Sequence, residues 1–336
     1  MKYAQSVASA LSQVYKWARN ISRWAVVGTI ALVSLLEIFS HQINLTTQIV
    51  IALISLTLGI PHGAIDHLIS IPAQPRSRFI GYIIGYVLIA VAAGCAIAMW
   101  NLLGFQIVLL MSSLHFGFGD ASFINEQCDA TGRNRQPRWV GIAYAIPAGF
   151  LPVLLPLTDD RTQSALNRIN HSLVTWAGVE SQLIRRVTIV IGVLSILTLA
   201  LSRRFDLALD LALLAALAIL APPLIAFATY FGLWHALRHT ARLVPKLPTA
   251  SAAAQDGRWR SALALAVQPG LYAIAATLLL GGALMLFAPA RFSYGATGAS
   301  GLFWTTLVIV WALTVPHMIS TARFDLRALK TVATYQ

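Results

Sequence analysis

The chain has 336 residues, of which 57% are hydrophobic and only 11% charged, and its formal net charge is +12. Soluble domains usually carry about 25% charged residues, so the composition excludes a soluble protein and predicts an integral membrane protein. The length allows roughly nine or ten spans of about 20 residues, with no room for a separate soluble domain. Because Arg and Lys occur in short clusters between apolar runs, the charge indicates membrane topology, and no nucleic-acid partner is expected.

Residues 1–23 combine apolar positions at helical spacing with Lys2, Lys16, Arg19 and Arg23. This pattern predicts an amphipathic helix at the membrane interface. Residues 24–322 are predicted to form a single transmembrane domain that holds any active site, and residues 323–336 to form a basic cytoplasmic tail. Membrane lipids are therefore expected to surround most of the chain.

Apolar runs predict an all-α, polytopic fold with about ten transmembrane helices. The predicted spans cover residues 24–39, 48–69, 79–100, 102–123, 139–157, 187–201, 207–220, 224–239, 262–287 and 301–320. The seventh and eighth are short, because Pro222 and Pro223 cannot continue a helix. The polar stretch 158–186 is predicted to form an interfacial helix outside the bilayer.

Positive charges near the span ends predict the orientation. The basic N-terminus and the basic clusters after the even-numbered spans are expected on the cytoplasmic side. The membrane is expected to be an inner or plasma membrane. The four arginines of the stretch 158–186 fall on the predicted outer side and do not fit this rule.

Six of the eight histidines lie in the cytoplasmic halves of the second, fourth, eighth and tenth spans. They are His62, His67, His115, His235, His239 and His317. These four spans run in the same direction, and polar side chains inside a membrane normally face the bundle interior or one another. The sequence therefore predicts an interior histidine cluster, whereas His41 and His171, in outer connections, are expected at the surface.

The histidine pair His235 and His239 has the i, i+4 spacing that places two imidazoles on one face of a helix. Neutral imidazoles bind transition metals, and an all-imidazole site suits Fe(II), Cu or Zn. Separate hydrogen-bonded histidines are the structural alternative. Arg238, between the pair, is expected to extend toward water.

Two aspartates lie near these histidines in the sequence. Asp66 follows His62 by one turn and is expected to orient its ring. Asp120 lies five residues after His115, a less suitable spacing unless the local glycines distort the helix. Either carboxylate could instead reach water at a helix end.

Four motifs occur in a defined order: PHGAIDH at residues 61–67, LHFGFGD at 114–120, ATYFGLWHALRH at 228–239 and VPHMI at 315–319. Together they resemble the Brp/Blh family of membrane β-carotene 15,15′-dioxygenases, over about residues 59–320. The resemblance implies a non-haem iron enzyme that splits the central double bond of β-carotene with O₂. The implied products are two molecules of all-trans-retinal.

The resemblance also implies one Fe(II) per chain, with O₂ as cosubstrate. The implied metal-binding and catalytic residues are His62, His115, His235 and His239. Further residues are expected behind these ligands or in the pocket: Asp66, Asp120, His317, Tyr230 and Trp234. The chain differs from what the family pattern predicts in carrying His67, which is not expected to bind iron, and in having an additional span before the PHG helix.

The implied substrate is an apolar carotenoid taken from the bilayer into a tunnel lined by aromatic side chains. A functional link to a retinal-binding opsin is an expected partnership, given the product. Three other functions are compatible with the residues alone: a metal or proton transporter with a His/Asp relay, a di-iron desaturase or hydroxylase, and a b-type haem protein. Di-iron enzymes of this kind resemble one another in repeated histidine boxes, and this sequence has only one H-x-x-x-H box.

Overall fold

The computed structural model describes residues 2–39, 41–66, 68, 75–287 and 298–330. Within these ranges the chain is almost entirely helical, and no strand occurs. The α-helices are α1 (Lys2–Ile38), α2 (Leu45–Ala64), α3 (Arg76–Met99), α4 (Asn101–Ala130), α5 (Arg138–Leu157), α6 (Asp160–Asn170), α7 (Ser181–Leu201), α8 (Phe205–Leu220), α9 (Pro223–Ala228), α10 (Ala236–Leu243), α11 (Pro248–Gln255), α12 (Trp259–Val267), α13 (Leu271–Phe287) and α14 (Gly298–Lys330).

Eight helical segments of the described chain are long and apolar enough to cross a membrane. They are Ser9–Ile38, Leu45–Ala64, Arg76–Met99, Asn101–Ala130, Arg138–Leu157, Gly178–Leu201, Trp259–Phe287 and Gly298–Ala322. The prediction of an all-α, polytopic membrane protein is therefore confirmed.

The two remaining predicted spans, the seventh and eighth, are helical but differ from the other eight. The seventh corresponds to α8, which has 16 residues. The eighth is divided into α9, a π-helical turn (Thr229–His235) and α10. A straight span needs about 20 residues, and α8 is shorter than this. The eighth segment continues from Pro223 to Leu243 and differs because a π-helical turn interrupts it.

The predicted boundary between an interfacial segment and the first span is not marked by a break, because α1 continues from Lys2 to Ile38. Val14, Tyr15 and Ala18 are buried on its inner face. The ring of Tyr15 packs on Phe123 of α4 with a centroid distance of 5.4 Å. The N-terminal segment thus packs against the helical bundle.

Helices α4 and α5 approach each other at two glycines. A Cβ atom at Gly117 would collide with the backbone carbonyl of Ala145, and one at Gly149 would collide with that of Ser113. Small residues allow this backbone contact between membrane helices. The contact holds the middle of α4, which carries a histidine and an aromatic ring of the site, against α5.

Four histidine-bearing segments surround one interior space. Helix α14 packs on α2, α3, α4 and α13, and α10 packs on both α2 and α4. Pro61 at the end of α2 lies against Gly270, where a side chain would meet the Pro61 backbone. These contacts bring the ends of helices that are distant in sequence to one place.

The contact between α4 and α5 predicts the effect of two alanine substitutions in the same helix. Gly149→Ala should destabilise the protein by about 1–3 kcal/mol, because the new methyl group overlaps backbone atoms of α4. Gly141→Ala should be neutral or stabilising by up to about 1 kcal/mol, because nothing lies within 4 Å of its Cβ position. Thermal unfolding in detergent measures the difference, and equal melting temperatures for the two variants would contradict the close contact.

Candidate metal centre

Five histidines from four segments meet in the interior. His62 follows Pro61 at the end of α2, and His115 lies in the middle of α4. His235 ends the π-helical turn, His239 lies one turn later in α10, and His317 lies in α14. All five side chains are buried. The interior histidine cluster predicted from the sequence is therefore confirmed for these five of its six residues.

Four of the rings form a closed circuit. The ring centroids are 5.4 Å apart for His62 and His235, and 5.3 Å apart for His235 and His115. They are 4.9 Å apart for His115 and His317, and 5.6 Å apart for His317 and His62. The fifth ring, that of His239, lies 5.1–6.4 Å from each of these four.

These separations fit imidazoles that share one metal ion. A ring nitrogen about 2.1 Å from an ion places the ring centroid about 3.2 Å away, so two ligands about 100–180° apart have centroids about 4.9–6.4 Å apart. Within the described residues, no three potential ligands already have their donor atoms arranged for an ion. The rings are therefore at the right spacing, and rotation of their side chains is needed to direct the nitrogens to one point.

The hydrogen bonds of the cluster leave ring nitrogens available. Nδ1 of His62 donates to the carbonyl oxygen of Gly59, which leaves Nε2 with its lone pair. Buried nitrogens without a hydrogen-bond partner among the described residues occur in four histidines: Nε2 of His115 and His317, and both ring nitrogens of His235 and His239. Buried polar atoms normally have partners, so this group of orphaned nitrogens fits a missing ligand such as a metal ion.

Asp66 is paired with a different histidine from the one predicted. Nδ1 of His317 donates to Oδ2 of Asp66 at 2.7 Å, and the hydroxyl of Tyr86 lies 3.3 Å from the same oxygen. The prediction that Asp66 orients His62 is therefore wrong. The ring of His62 is held by its own helix, whereas Asp66 fixes a ring that is 251 residues away in the sequence.

The structure describes two of the three remaining histidines. The side chains of His41 and His171 are exposed, as predicted. His67 lies outside the described residues, so its predicted lack of a role in metal binding stays a prediction.

An apolar cavity of about 410 Å³ reaches the cluster. His62, His115 and His317 line its polar end, together with Asp66 and Tyr86. Its other walls come from α3, α13 and α14, where the lining residues Ile83, Val87 and Leu280 are also exposed on the outer surface of the bundle. The cavity therefore connects the histidines with the apolar, lipid-facing surface.

A second apolar cavity, of about 130 Å³, lies on the other side of two aromatic rings. Phe116 and Phe231 line both cavities, and Tyr230 lines the smaller one. Phe116 also packs 4.4 Å from the ring of His235, measured between centroids. The aromatic residues next to the histidines in the sequence thus separate two apolar spaces near the cluster.

Trp234 and Asp120 form a polar layer behind the cluster. Nε1 of Trp234 donates to Oδ2 of Asp120 at 2.6 Å, and neither residue lines either of the two cavities described above. The guanidinium of Arg238 stacks on the Trp234 ring at 3.6 Å and lies 3.9 Å from Asp120. Trp234 therefore supports the histidine helix without lining either cavity.

Arg238 does not extend to water, and this prediction is wrong. Its side chain is only 1% exposed and forms an ion pair with Asp210 of α8 at 3.3 Å. It also donates to the hydroxyls of Ser22 and Tyr144, from α1 and α5. An ion pair and hydrogen bonds satisfy the charge inside the bundle, as burial requires.

Asp210 accepts from two further arginines. Arg23 donates to it at 2.6 Å and Arg19 at 3.1 Å, both from α1. Sequence reasoning missed this residue, although a signal was present: Asp210 is the only charged residue between positions 207 and 220. A charge within an apolar run predicts an interior partner.

A second charge group ties α10 to two other helices. Arg242 donates to Glu126 of α4 at 3.0 Å and to Asp325 of α14 at 2.7 Å. Tyr15 of α1 donates to the same glutamate at 3.2 Å. The helix that carries His239 is thus tied to α4 and α14 by the ion pairs of one buried arginine.

Comparison with known proteins gives a consistent assignment. A family model described as beta-carotene 15,15'-dioxygenase matches residues 53–325. A curated protein named beta-carotene 15,15'-dioxygenase, from uncultured marine bacterium 66A03, is 27% identical over 268 residues, which cover 78% of this chain and 88% of that protein. A protein of Halobacterium salinarum named probable beta-carotene 15,15'-dioxygenase Blh is 28% identical over 290 residues, covering 79% of this chain and 80% of the relative. No solved structure gives a significant match.

The buried charge group predicts a large effect of one carboxylate on stability. Asp210→Ala should destabilise the protein by about 3 kcal/mol or more, because three arginines would lose their shared partner inside the bundle. Asp206→Ala in the same helix is the matched control. Its side chain is 66% exposed, and its loss should cost at most about 1 kcal/mol. Thermal unfolding of the two variants in detergent measures this difference, and similar melting temperatures would contradict the anchoring role of Asp210.

Proposed function

Because this chain belongs to the beta-carotene 15,15'-dioxygenase family, we propose that it cleaves the central double bond of β-carotene with O₂ to give two molecules of all-trans-retinal. The family match over residues 53–325 carries the proposal, because it includes all five clustered histidines. The apolar cavity that ends at the cluster supports it, since the reaction needs an apolar polyene beside the reactive centre.

The proposed cofactor is one Fe(II) per chain, bound by His62, His115, His235 and His239. Two observations support this assignment: the ring spacing suits one shared ion, and buried nitrogens of His115, His235 and His239 have no partner among the described residues. Bound iron would supply the redox chemistry for reaction with O₂. No cysteine belongs to the group, which disfavours a thiolate zinc site.

The residues around the cluster would bind and position the polyene. The cavity walls are almost wholly apolar, so they can replace lipid contacts of a carotenoid and exclude water from the centre. Phe116 and Phe231 stand between the two cavities and would contact the polyene next to the histidines. A substrate taken directly from the bilayer would pass between α3 and α13, where the lining residues are exposed to lipid.

The proposed location is the inner or plasma membrane, with the histidine cluster in the cytoplasmic half. The basic clusters after α2, α4, α7 and α10 support this orientation by the positive-inside rule. The link to a retinal-binding opsin is likewise proposed, from the product of the reaction.

The reaction can be tested in bacteria that synthesise β-carotene. Expression of this chain should bleach the cells and accumulate a C20 aldehyde, detected by chromatography and mass spectrometry. His235→Ala and His239→Ala should each lower the yield by more than about 100-fold, because loss of an ion ligand exceeds the effect of losing an outer partner. His171→Ala should retain full yield, since that side chain is exposed outside the cluster.

Two results would reject the proposal in different ways. Aldehydes of unequal length would show cleavage at another position in the polyene. Unchanged β-carotene together with metal-dependent proton or ion flux would instead favour a transporter.

The orientation can be tested by labelling single cysteines after replacing Cys95 and Cys128. Ser77→Cys, in the exposed start of α3, should react with a membrane-impermeant maleimide only after the cells are permeabilised. Val179→Cys should react in intact cells, because this side chain is 93% exposed in the predicted outer connection. The reverse pattern would place the histidine cluster in the other half of the membrane.

A further inference from the structure

We propose that His317 is a fifth protein ligand of the same metal ion and that Asp66 holds it in position. The proposal deepens the proposed function, on which it rests, because the family resemblance assigns only four histidines to iron. It concerns the ligand set, which can be measured independently of carotenoid cleavage.

The position of the His317 ring is the first observation. It lies 4.9 Å from the ring of His115, the shortest of the distances between histidine rings given above, and 5.6 Å from the rings of His62 and His239. His317 thereby completes the circuit between His62 and His115. A ring that belonged only to the surrounding wall would not need to contact three of the four proposed ligands.

The hydrogen bonding of His317 is the second observation. Nδ1 donates to Asp66, so Nε2 is the nitrogen left for another bond. Nε2 is buried and has no hydrogen-bond partner in the part of the chain that the structure describes. In a protonated ring, Nε2–H would be an unsatisfied buried donor, which costs about 1–3 kcal/mol. A neutral ring with its Nε2 lone pair on a metal ion avoids this cost.

The surroundings of His317 form a support that suits a ligand. A histidine that binds a metal usually donates its other nitrogen to a carboxylate, which fixes the tautomer and raises the basicity of the ring. Asp66 provides this carboxylate, and Tyr86 of α3 lies within hydrogen-bond distance of it. The His317 ring also packs against Gly63, where a Cβ atom would lie 3.4 Å from Nδ1. These three residues therefore hold the ring in one orientation.

The test measures metal binding by the full-length purified protein. Fe(II) dissociation constants and metal content should be determined for the wild type and for His317→Ala. The Co(II)-loaded proteins should be compared by visible absorption, which depends on the number of ligands. His317→Ala should weaken Fe(II) binding by more than about 100-fold, beyond the range of about 10–100-fold expected for an outer partner, and should change the Co(II) spectrum.

Two further variants keep the test decisive. Asp66→Asn retains an acceptor for Nδ1–H and should weaken Fe(II) binding by only about 10-fold, with an unchanged ligand number. Thr305→Val is the control for changes in α14, because Thr305 is buried, donates to the carbonyl of Gly301 in its own helix, and lines neither of the described cavities. It should bind Fe(II) like the wild type. If His317→Ala does not fold, His317→Gln replaces it.

The outcomes separate this inference from the proposed function. Unchanged Fe(II) affinity and an unchanged Co(II) spectrum in the His317 variant, with loss of binding in His62→Ala, would overturn the fifth ligand and keep the four-histidine site. A loss in affinity of only about 10–100-fold, with an unchanged Co(II) spectrum, would make His317 an outer positioning residue and also overturn it. If His62→Ala and His239→Ala each bind Fe(II) as tightly as the wild type, the iron site itself is rejected.

Discussion

The ion pair between Arg238 and Asp210 is the interaction on which the histidine cluster depends. A guanidinium inside an apolar bundle must be paired. The three residues that accept hydrogen bonds from Arg238 are Asp210, Ser22 and Tyr144, and they come from three different helices. Because Arg238 lies next to His239 on α10, this pairing sets the rotation of that helix. One face of α10 is fixed to α1, α5 and α8, so the neighbouring face presents His239 to α2 and α14.

The π-helical turn before α10 complements this anchor. It spans Thr229–His235 and therefore ends at one of the clustered histidines. π-Helical turns within α-helices are rare and occur frequently at functional sites, where a wider turn changes the direction of side chains. In this chain, the turn places Tyr230 and Phe231 at the cavities, whereas Trp234 stacks with Arg238 and lines neither cavity. One short segment thus contributes both to the apolar wall and to the polar support behind it.

The sequence predicted the features that depend on local patterns. The apolar runs predict the all-α class. The interior cluster is predicted because the histidines lie at a similar depth in spans that cross the membrane in the same direction. Pairings between distant segments were not predictable in this way. Asp66 was expected beside His62 because they are one turn apart, but its partner is 251 residues away. No partner for Arg238 lies near it in the sequence, so the local pattern predicts that it reaches water. Its partner, Asp210, lies in another apolar run, where a single acidic residue is the only sequence signal of the contact.

The exposed rim of the larger cavity determines whether its occupancy depends on the concentration of an apolar molecule in lipid or in water. Ile83, Val87 and Leu280 line the cavity and also lie on the outer surface of the bundle. An apolar molecule that reaches the rim therefore diffuses in two dimensions through lipid and does not cross water. Occupancy of the cavity then follows the number of solute molecules per lipid, so adding empty bilayer to a fixed amount of protein and solute lowers occupancy even at constant sample volume.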